Sequence, residues 1–332
     1  MEFSIVKNSS KLSVGVGSAL VDILLEESDE FVAATGAAKG GMTLVEAADI
    51  EKTVALSDNS TSIVPGGSAC NTIIGLGKLS GNATFIGKRG DDELGETLEA
   101  ALENHSVKPI LEKSKTETGR VLSIITPDAQ RSMFTFLGAA AESSAEEMSV
   151  EKFKDAALVH LEGYLLFNKD LIFAALKAAK ESGAVISLDL ASFQVVEASK
   201  DILYEIVRDY VDILLANEDE AKAYTGIENE KESLAKLAED VEIAVLKVGK
   251  RGSYISYKGE VTEMGIMGSG EAKDTTGAGD LWASGFLYGV INGLSVEKSG
   301  KIGAACGYEV CQVIGAHIPE DGWDRIKKVV AE

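Results

Sequence analysis

Short apolar runs alternate with longer stretches of helical period along most of this chain. Residues 13–16, 83–86, 157–161, 185–190, 213–216 and 243–248 are short and rich in Val, Ile and Leu, which predicts strands. Between and beyond them, 68–79, 93–104, 169–181, 200–210, 218–224, 279–291, 296–313 and 323–330 carry helical spacing. Strands that read as continuous apolar runs, separated by helices, predict a mostly parallel sheet covered on both faces. One region breaks the rhythm. Residues 118–125 and 131–136 are two extended runs joined by Thr126-Pro127-Asp128-Ala129-Gln130, the pattern of a hairpin. With material from 21–63 it predicts a small sheet set apart from the main one, a lid or dimer surface, or else an antiparallel extension of the main sheet. Ile124, Met133 and Phe136 are expected on the underside of such a lid.

Composition narrows the class. The chain has 332 residues, 45% of them hydrophobic, which suffices for a large core. Its net charge of -21 repels phosphodiester backbones and argues against nucleic acid as a partner. The same field repels nucleotides at long range, so a nucleotide site here must use local backbone donors and a divalent cation. Three cysteines, Cys70, Cys306 and Cys311, form no metal-binding spacing and fit reduced thiols in the cytoplasm. Cys70 reads as a small buried hydrophobe, and Lys88 and Arg89 as surface residues. His105, His160 and His317 show no partners and are assigned no chemistry. No apolar signal core opens the chain, and no run of about 18 apolar residues is present to span a bilayer.

The most informative stretch is Asp274-Thr275-Thr276-Gly277-Ala278-Gly279-Asp280, which opens an apolar helix. The first helical turn offers N–H groups without intrahelical partners, at the positive end of the helix dipole. Gly277 and Gly279 leave room for an anion against that backbone. Asp280 then falls beside the anion site. An acid is a poor anion ligand there, but it is well placed to take a proton from an attacking hydroxyl while the amides hold a phosphoryl group. The same acids also suit plain capping of the helix.

The motif has company. Pro65-Gly66-Gly67-Ser68-Ala69-Cys70-Asn71, the segment from Gly87 to Gly95 and Asn217-Glu218-Asp219-Glu220 follow in the same order as in a known family. With these residues the chain resembles the ribokinase-like (PfkB) carbohydrate and nucleoside kinases, from about residue 13 to 318. Residues 126–133, 137–140 and 162–166 are similar to a bacterial adenosine-kinase-like branch. The resemblance implies a three-layer α/β/α sandwich in one kinase domain, 1–332, with a β lid drawn from about 18–65 and 115–140. It implies transfer of the γ-phosphoryl of ATP, with Mg²⁺, to an alcohol of a sugar or nucleoside, adenosine slightly favoured. Asp280 is then the general base, and Gly277, Ala278 and Gly279 form the anion hole.

By the same resemblance Ser18, Asp22, Gly66, Gly67, Ser68, Asn71 and Tyr164 bind the acceptor. Thr275, Asn217, Glu220, Lys247, Gly249, Gly252 and Gly303 bind ATP. Asn217 and Glu220 organise Mg²⁺ through water, although their spacing also makes a helix capping box. A monovalent cation near Asp274 and Thr276 and a homodimer through the lid are further expectations. Two positions depart from the family. Lys247 stands where many relatives have Thr, and Gly303 stands where some have an Asn lining the adenine pocket.

Other classes fit less well. The chain has no GxxxxGK[ST] loop and no protein-kinase signature set. Gly15-Val16-Gly17 is only a fragment of a dinucleotide fingerprint, which disfavours a dehydrogenase. A catalytically silent sugar or nucleoside sensor of the same family is the main alternative.

Overall fold

The computed structural model describes residues 1–6, 9–37, 39–128 and 130–332, so Ala129 of the hairpin turn lies outside the described residues. In chain order the strands are β1 (Leu12–Val16), β2 (Leu20–Glu26), β3 (Met42–Leu44), β4 (Ser62–Gly66), β5 (Ala83–Gly90), β6 (Val107–Ser114) and β7 (Gly119–Ile125). They continue with β8 (Arg131–Phe136), β9 (Ala156–Glu162), β10 (Val185–Asp189), β11 (Ile213–Asn217), β12 (Ile243–Lys247), β13 (Ser253–Tyr257) and β14 (Glu260–Met264).

The strands form two sheets. The larger has the order β14-β13-β12-β11-β10-β9-β1-β5-β6, parallel from β12 through β6 and antiparallel at the β13–β14 edge. Alternate residues of its strands serve two cores. Val159, Leu161, Leu214 and Ala216 pack on one face with the helices Lys169–Ser182 and Lys200–Tyr210. Leu158, Ile213 and Leu215 pack on the other with the helices Ser68–Ser80 and Ala278–Ile291. That double burial is why these strands read as unbroken apolar runs rather than as alternation.

The smaller sheet has the order β3-β8-β7-β2-β4, so the hairpin pairs with β2 and not with the main sheet. It is sided. Leu25, Leu122, Ile124 and Phe134 face a small core with Val32 and Ile50 of the helices Asp29–Thr35 and Ala47–Val54. This corrects the expected underside. Ile124 is in that core and Phe136 packs against it, while only Met133 of the three faces the cleft between the sheets.

Two further expectations change. Arg89 is buried, its guanidinium held by Glu99 and by the Gly90 carbonyl at 2.8 Å, and Lys88 is mostly covered by Glu147 and Glu142. His105 and His317 are partners of each other, with ring centroids 5.2 Å apart. Among the described residues no helix is long and apolar enough to cross a membrane.

Candidate active site

Four adjacent parallel strands, β9 to β12, end on polar residues: Glu162, Asp189, Asn217 and Lys247. In an open parallel sheet this carboxyl end is where ligands bind. All four line a cavity of ≈ 790 Å³ that is closed on its other side by the small sheet. Asp22 of β2, Val121 and Ser123 of β7, and Arg131, Met133 and Thr135 of β8 form that opposite wall.

Between the walls lies the start of the helix Ala278–Ile291. Gly277 takes a left-handed conformation, φ 69°, which breaks the loop and turns it into the helix. Asp274 fixes the loop. Its carboxylate accepts from the Thr276 amide at 2.9 Å, the Thr276 hydroxyl at 2.7 Å and the Gly315 amide at 2.8 Å. Among the described residues no hydrogen bond occupies the amides of Gly277, Gly279 and Asp280. These are the free first-turn donors that the Gly-rich motif predicts.

Asp280 is aimed by the neighbouring helix Ser68–Ser80. Gly75 leaves space on that helix for Ser284 to pack, since a Cβ there would meet the Ser284 Oγ at 2.3 Å. The close approach lets Ser68 Oγ donate to Asp280 Oδ1 at 2.8 Å and Asn71 Nδ2 donate to Oδ2 at 3.0 Å. Burial pushes the Asp280 carboxyl above its usual range, the Asn71 and Ser68 bonds oppose the shift, and nearby Asp189 adds to it. The result is a carboxylate with fixed orientation and raised basicity, beside unoccupied amides.

The residues expected on the acceptor side gather around it. Ser18, Asp22, Gly67, Ser68, Asn71 and Tyr164 all line the cleft. Gly66 is buried against the Asp22 carboxylate. Burial pushes Asp22 up to about 7; Arg131 pulls it down, while Asp280 and Asp274 push it further up. Glu162, buried beneath this group, accepts from the Ser18 amide at 2.8 Å and the Ala69 amide at 2.9 Å, joining the β1–β2 turn to the Ser68 helix. Burial raises the Glu162 carboxyl, and those two amides offset part of the rise. Tyr164 is partly exposed at the cleft, its phenol pushed up to about 12 by burial.

At the sheet side, Lys247 Nζ lies 2.7 Å from Asp189 Oδ2. Burial works against both charges. Lys247 outweighs it for Asp189, which stays below its usual range, and Asp189 with Glu220 outweighs it for Lys247, which stays above. Asn217 and Glu220 form a reciprocal capping box: the Asn217 amide and Nδ2 donate to the Glu220 carboxylate at 2.8 and 2.7 Å, and the Glu220 amide returns a bond at 2.9 Å. Burial, then Asp189, push Glu220 up to about 7, against Lys247. Thr275 lines the same end.

Three residues expected at the nucleotide lie off the cavity wall. Gly249 and Gly252 sit at the exposed turn between β12 and β13. Gly303 is buried in a helix contact, where a Cβ would meet the Trp282 carbonyl at 2.9 Å and its indole at 3.1 Å. Sequence reasoning left Glu162, Asp189, Ser123 and Arg131 unassigned. For the two acids a signal exists, a carboxylate closing an apolar strand run.

A model of the pfkB family carbohydrate kinases matches residues 20–322. Among curated proteins the chain is 26% identical over 280 residues to the 5-dehydro-2-deoxygluconokinase of Geobacillus thermodenitrificans, covering 80% of this chain and 82% of that protein. It is 30% identical over 267 residues to fructokinase-1 of Zea mays, covering 73% and 81%. Among solved structures, the adenosine kinase from Sinorhizobium meliloti superposes with a TM-score of 0.89 at 30% identity, covering 96% of this chain and 99% of that one. A probable sugar kinase protein from Rhizobium etli gives 0.89 at 30%, covering 97% and 98%. The chain therefore belongs to the pfkB family of carbohydrate kinases and is a phosphotransferase with an alcohol group as acceptor.

Proposed function

We propose that this kinase moves the γ-phosphoryl of ATP to an alcohol of a nucleoside or sugar, with Asp280 as the base that takes the alcohol's proton. The observation that carries the reading is the pairing of an oriented, basic carboxylate with unoccupied first-turn amides on a single helix. A hydroxyl brought against Asp280 loses its proton as its oxygen attacks, and the amides of Gly277 and Gly279 hold the charge on the moving phosphoryl. Ser68 and Asn71 keep the carboxylate pointed at the alcohol. Asp22 and Asn71 offer acceptors and a donor for the other hydroxyls of the acceptor.

Lys247 lies close to the anion site: a Cβ on Gly279 would be 3.1 Å from its Nζ. The ammonium thus supplies positive potential to the phosphates, while Asp189 holds it in place. The donor set suits a hydrated Mg²⁺. Among the described residues no group of three or more His, Cys, Asp or Glu is clustered for direct ligation, and both Glu220 oxygens already accept hydrogen bonds but keep lone pairs for water. Mg²⁺ would screen the phosphate oxygens, with Glu220 and Asn217 meeting its water shell.

The five-stranded sheet acts as the lid that excludes water from the transfer. Protection of the 126–130 turn from protease on acceptor binding is expected, and its absence would remove the lid role. A phosphorylation screen of nucleosides and sugars with ATP and Mg²⁺ tests the activity. Acceptor-dependent ADP release is expected, and none with any acceptor would overturn the reading. The adenosine kinase likeness at 30% identity and nearly full coverage favours a nucleoside within the screen.

A further inference from the structure

Strand β7 alternates between two environments. Leu122 and Ile124 enter the small core beneath the sheet, so Val121 and Ser123 point the other way, and both line the cleft. Ser123 is 1% exposed, and its hydroxyl has no hydrogen-bond partner among the described residues. A buried hydroxyl left unpaired carries a desolvation cost, and native structures rarely retain one without a use. Its cross-strand neighbours cannot relieve it well: Leu24 of β2 is aliphatic and Met133 of β8 offers only a weak thioether acceptor.

The register says how far this hydroxyl stands from the rest of the site. Val121 is directly opposite Asp22, and β2 and β7 run parallel away from the Ser18 turn. Ser123 lies two residues beyond Val121, roughly 7 Å farther along the wall. An acceptor gripped at Asp22 and presenting its alcohol to Asp280 has used the polar groups of a compact sugar. A polar atom that reaches Ser123 belongs to a second ring attached to that sugar. The surrounding wall suits such a ring, because Met133, Met42 and Leu44 line the cleft beside Ser123, and Met42 and Leu44 are largely exposed.

We propose that Ser123 is a specificity-determining residue whose hydroxyl pairs with a ring nitrogen, amino or carbonyl group of a heteroaromatic base, in an acceptor whose ribose is held by Asp22 and Asn71. The proposal rests on the kinase reading above and narrows its acceptor to nucleosides. The buried hydroxyl is then a polar reader among the apolar side chains of Met133, Met42 and Leu44, and its missing partner is supplied by the ligand.

The test compares wild type, Ser123→Ala and Ser123→Thr with adenosine, inosine, uridine and D-ribose as acceptors. For the preferred nucleoside, Ser123→Ala should raise KM about 3- to 10-fold, the worth of one neutral hydrogen bond, with kcat and the KM for ATP unchanged. D-ribose kinetics should not move, and Ser123→Thr should keep most of the wild-type KM. The thermal midpoint of ligand-free Ser123→Ala should equal or exceed that of wild type, because an unpaired hydroxyl is removed; a purely structural hydroxyl would give a drop. An unchanged nucleoside KM, an equal rise for D-ribose, or a wild type that prefers D-ribose to every nucleoside overturns the proposal. If wild type phosphorylates none of them, the kinase reading is judged by the wider acceptor screen above, and calorimetric affinities of the same nucleosides decide the pocket: about 3- to 10-fold weaker binding to Ser123→Ala supports it, and equal binding refutes it.

Discussion

The two walls of the cleft treat buried polar groups in opposite ways. Along the ends of β10 to β12 they satisfy one another: Asp189 with Lys247, and Asn217 with Glu220 in a reciprocal box. On the small sheet they do not. Asp22 is buried with its carboxyl pushed up to about 7, the Ser123 hydroxyl has no partner among the described residues, and Arg131 of β8 faces the cleft. The first wall is organised before any ligand arrives, and its charges are already paid in geometry. The second carries desolvated groups that a bound ligand can pair, so binding there would add hydrogen bonds to those already made among the described residues. Asp280 stands between the two, held by Ser68 and Asn71 yet raised by burial.

Substitutions can break this contrast in order of size. Asp280→Asn should lower kcat by about 10²- to 10⁴-fold, the usual worth of a general base, with acceptor affinity within a few-fold of wild type. Steady-state kinetics with calorimetric binding separates the two. Lys247→Met strands the Asp189 carboxylate in the sheet wall and should cost about 3–5 kcal/mol of stability in denaturant titration. Adding Asp189→Asn should recover a large part of that loss, as expected of a mutually satisfied pair.

The small-sheet wall should respond with the opposite sign. The folded state holds the Asp22 proton more tightly than the unfolded chain does, since the carboxyl rises from 3.8 to about 7. Its contribution therefore favours folding below about pH 4 and is lost as pH climbs through 7. Asp22→Asn removes the titration, so it should gain stability over wild type between pH 5 and pH 8, by at most about 4 kcal/mol. Thermal melts at the two pH values check this, and an equal difference at both would refute it. The same wall should show its function in Asp22→Ala, where acceptor KM should rise by about 10- to 100-fold while the KM for ATP stays within two-fold. Equal losses for both substrates would move Asp22 to another role.

Much of this architecture was legible in the residues. Continuous apolar runs gave the central parallel strands, because burial on both faces removes alternation. The hairpin 118–136 and the helix 279–291 were placed to within a residue or two. The capping-box spacing of Asn217 and Glu220 is realised in the hydrogen bonds. What stayed hidden depends on contacts between distant segments. The partnership of the hairpin with material from 21–63 was legible, but nothing local tells that Leu20–Glu26 is the strand that pairs directly with Gly119–Ile125. Arg89 looks exposed in sequence, yet Glu99 one helix later buries its charge. Asp189 and Glu162 look like strand residues until neighbouring strand ends align them in one cleft. Ser123 carries no signal at all, since its interest is the absence of a partner among the described residues.

The most direct test follows single-turnover phosphoryl transfer with ATP and acceptor both saturating, across pH, for wild type and Asp280→Asn. Saturation takes Asp22 and binding out of the profile. The account predicts that the wild-type rate rises with pH through an apparent pKa above the ordinary carboxylate range, and that the variant is slow and loses that limb. A folded variant that keeps the wild-type rate, or keeps the same pH limb, would contradict it.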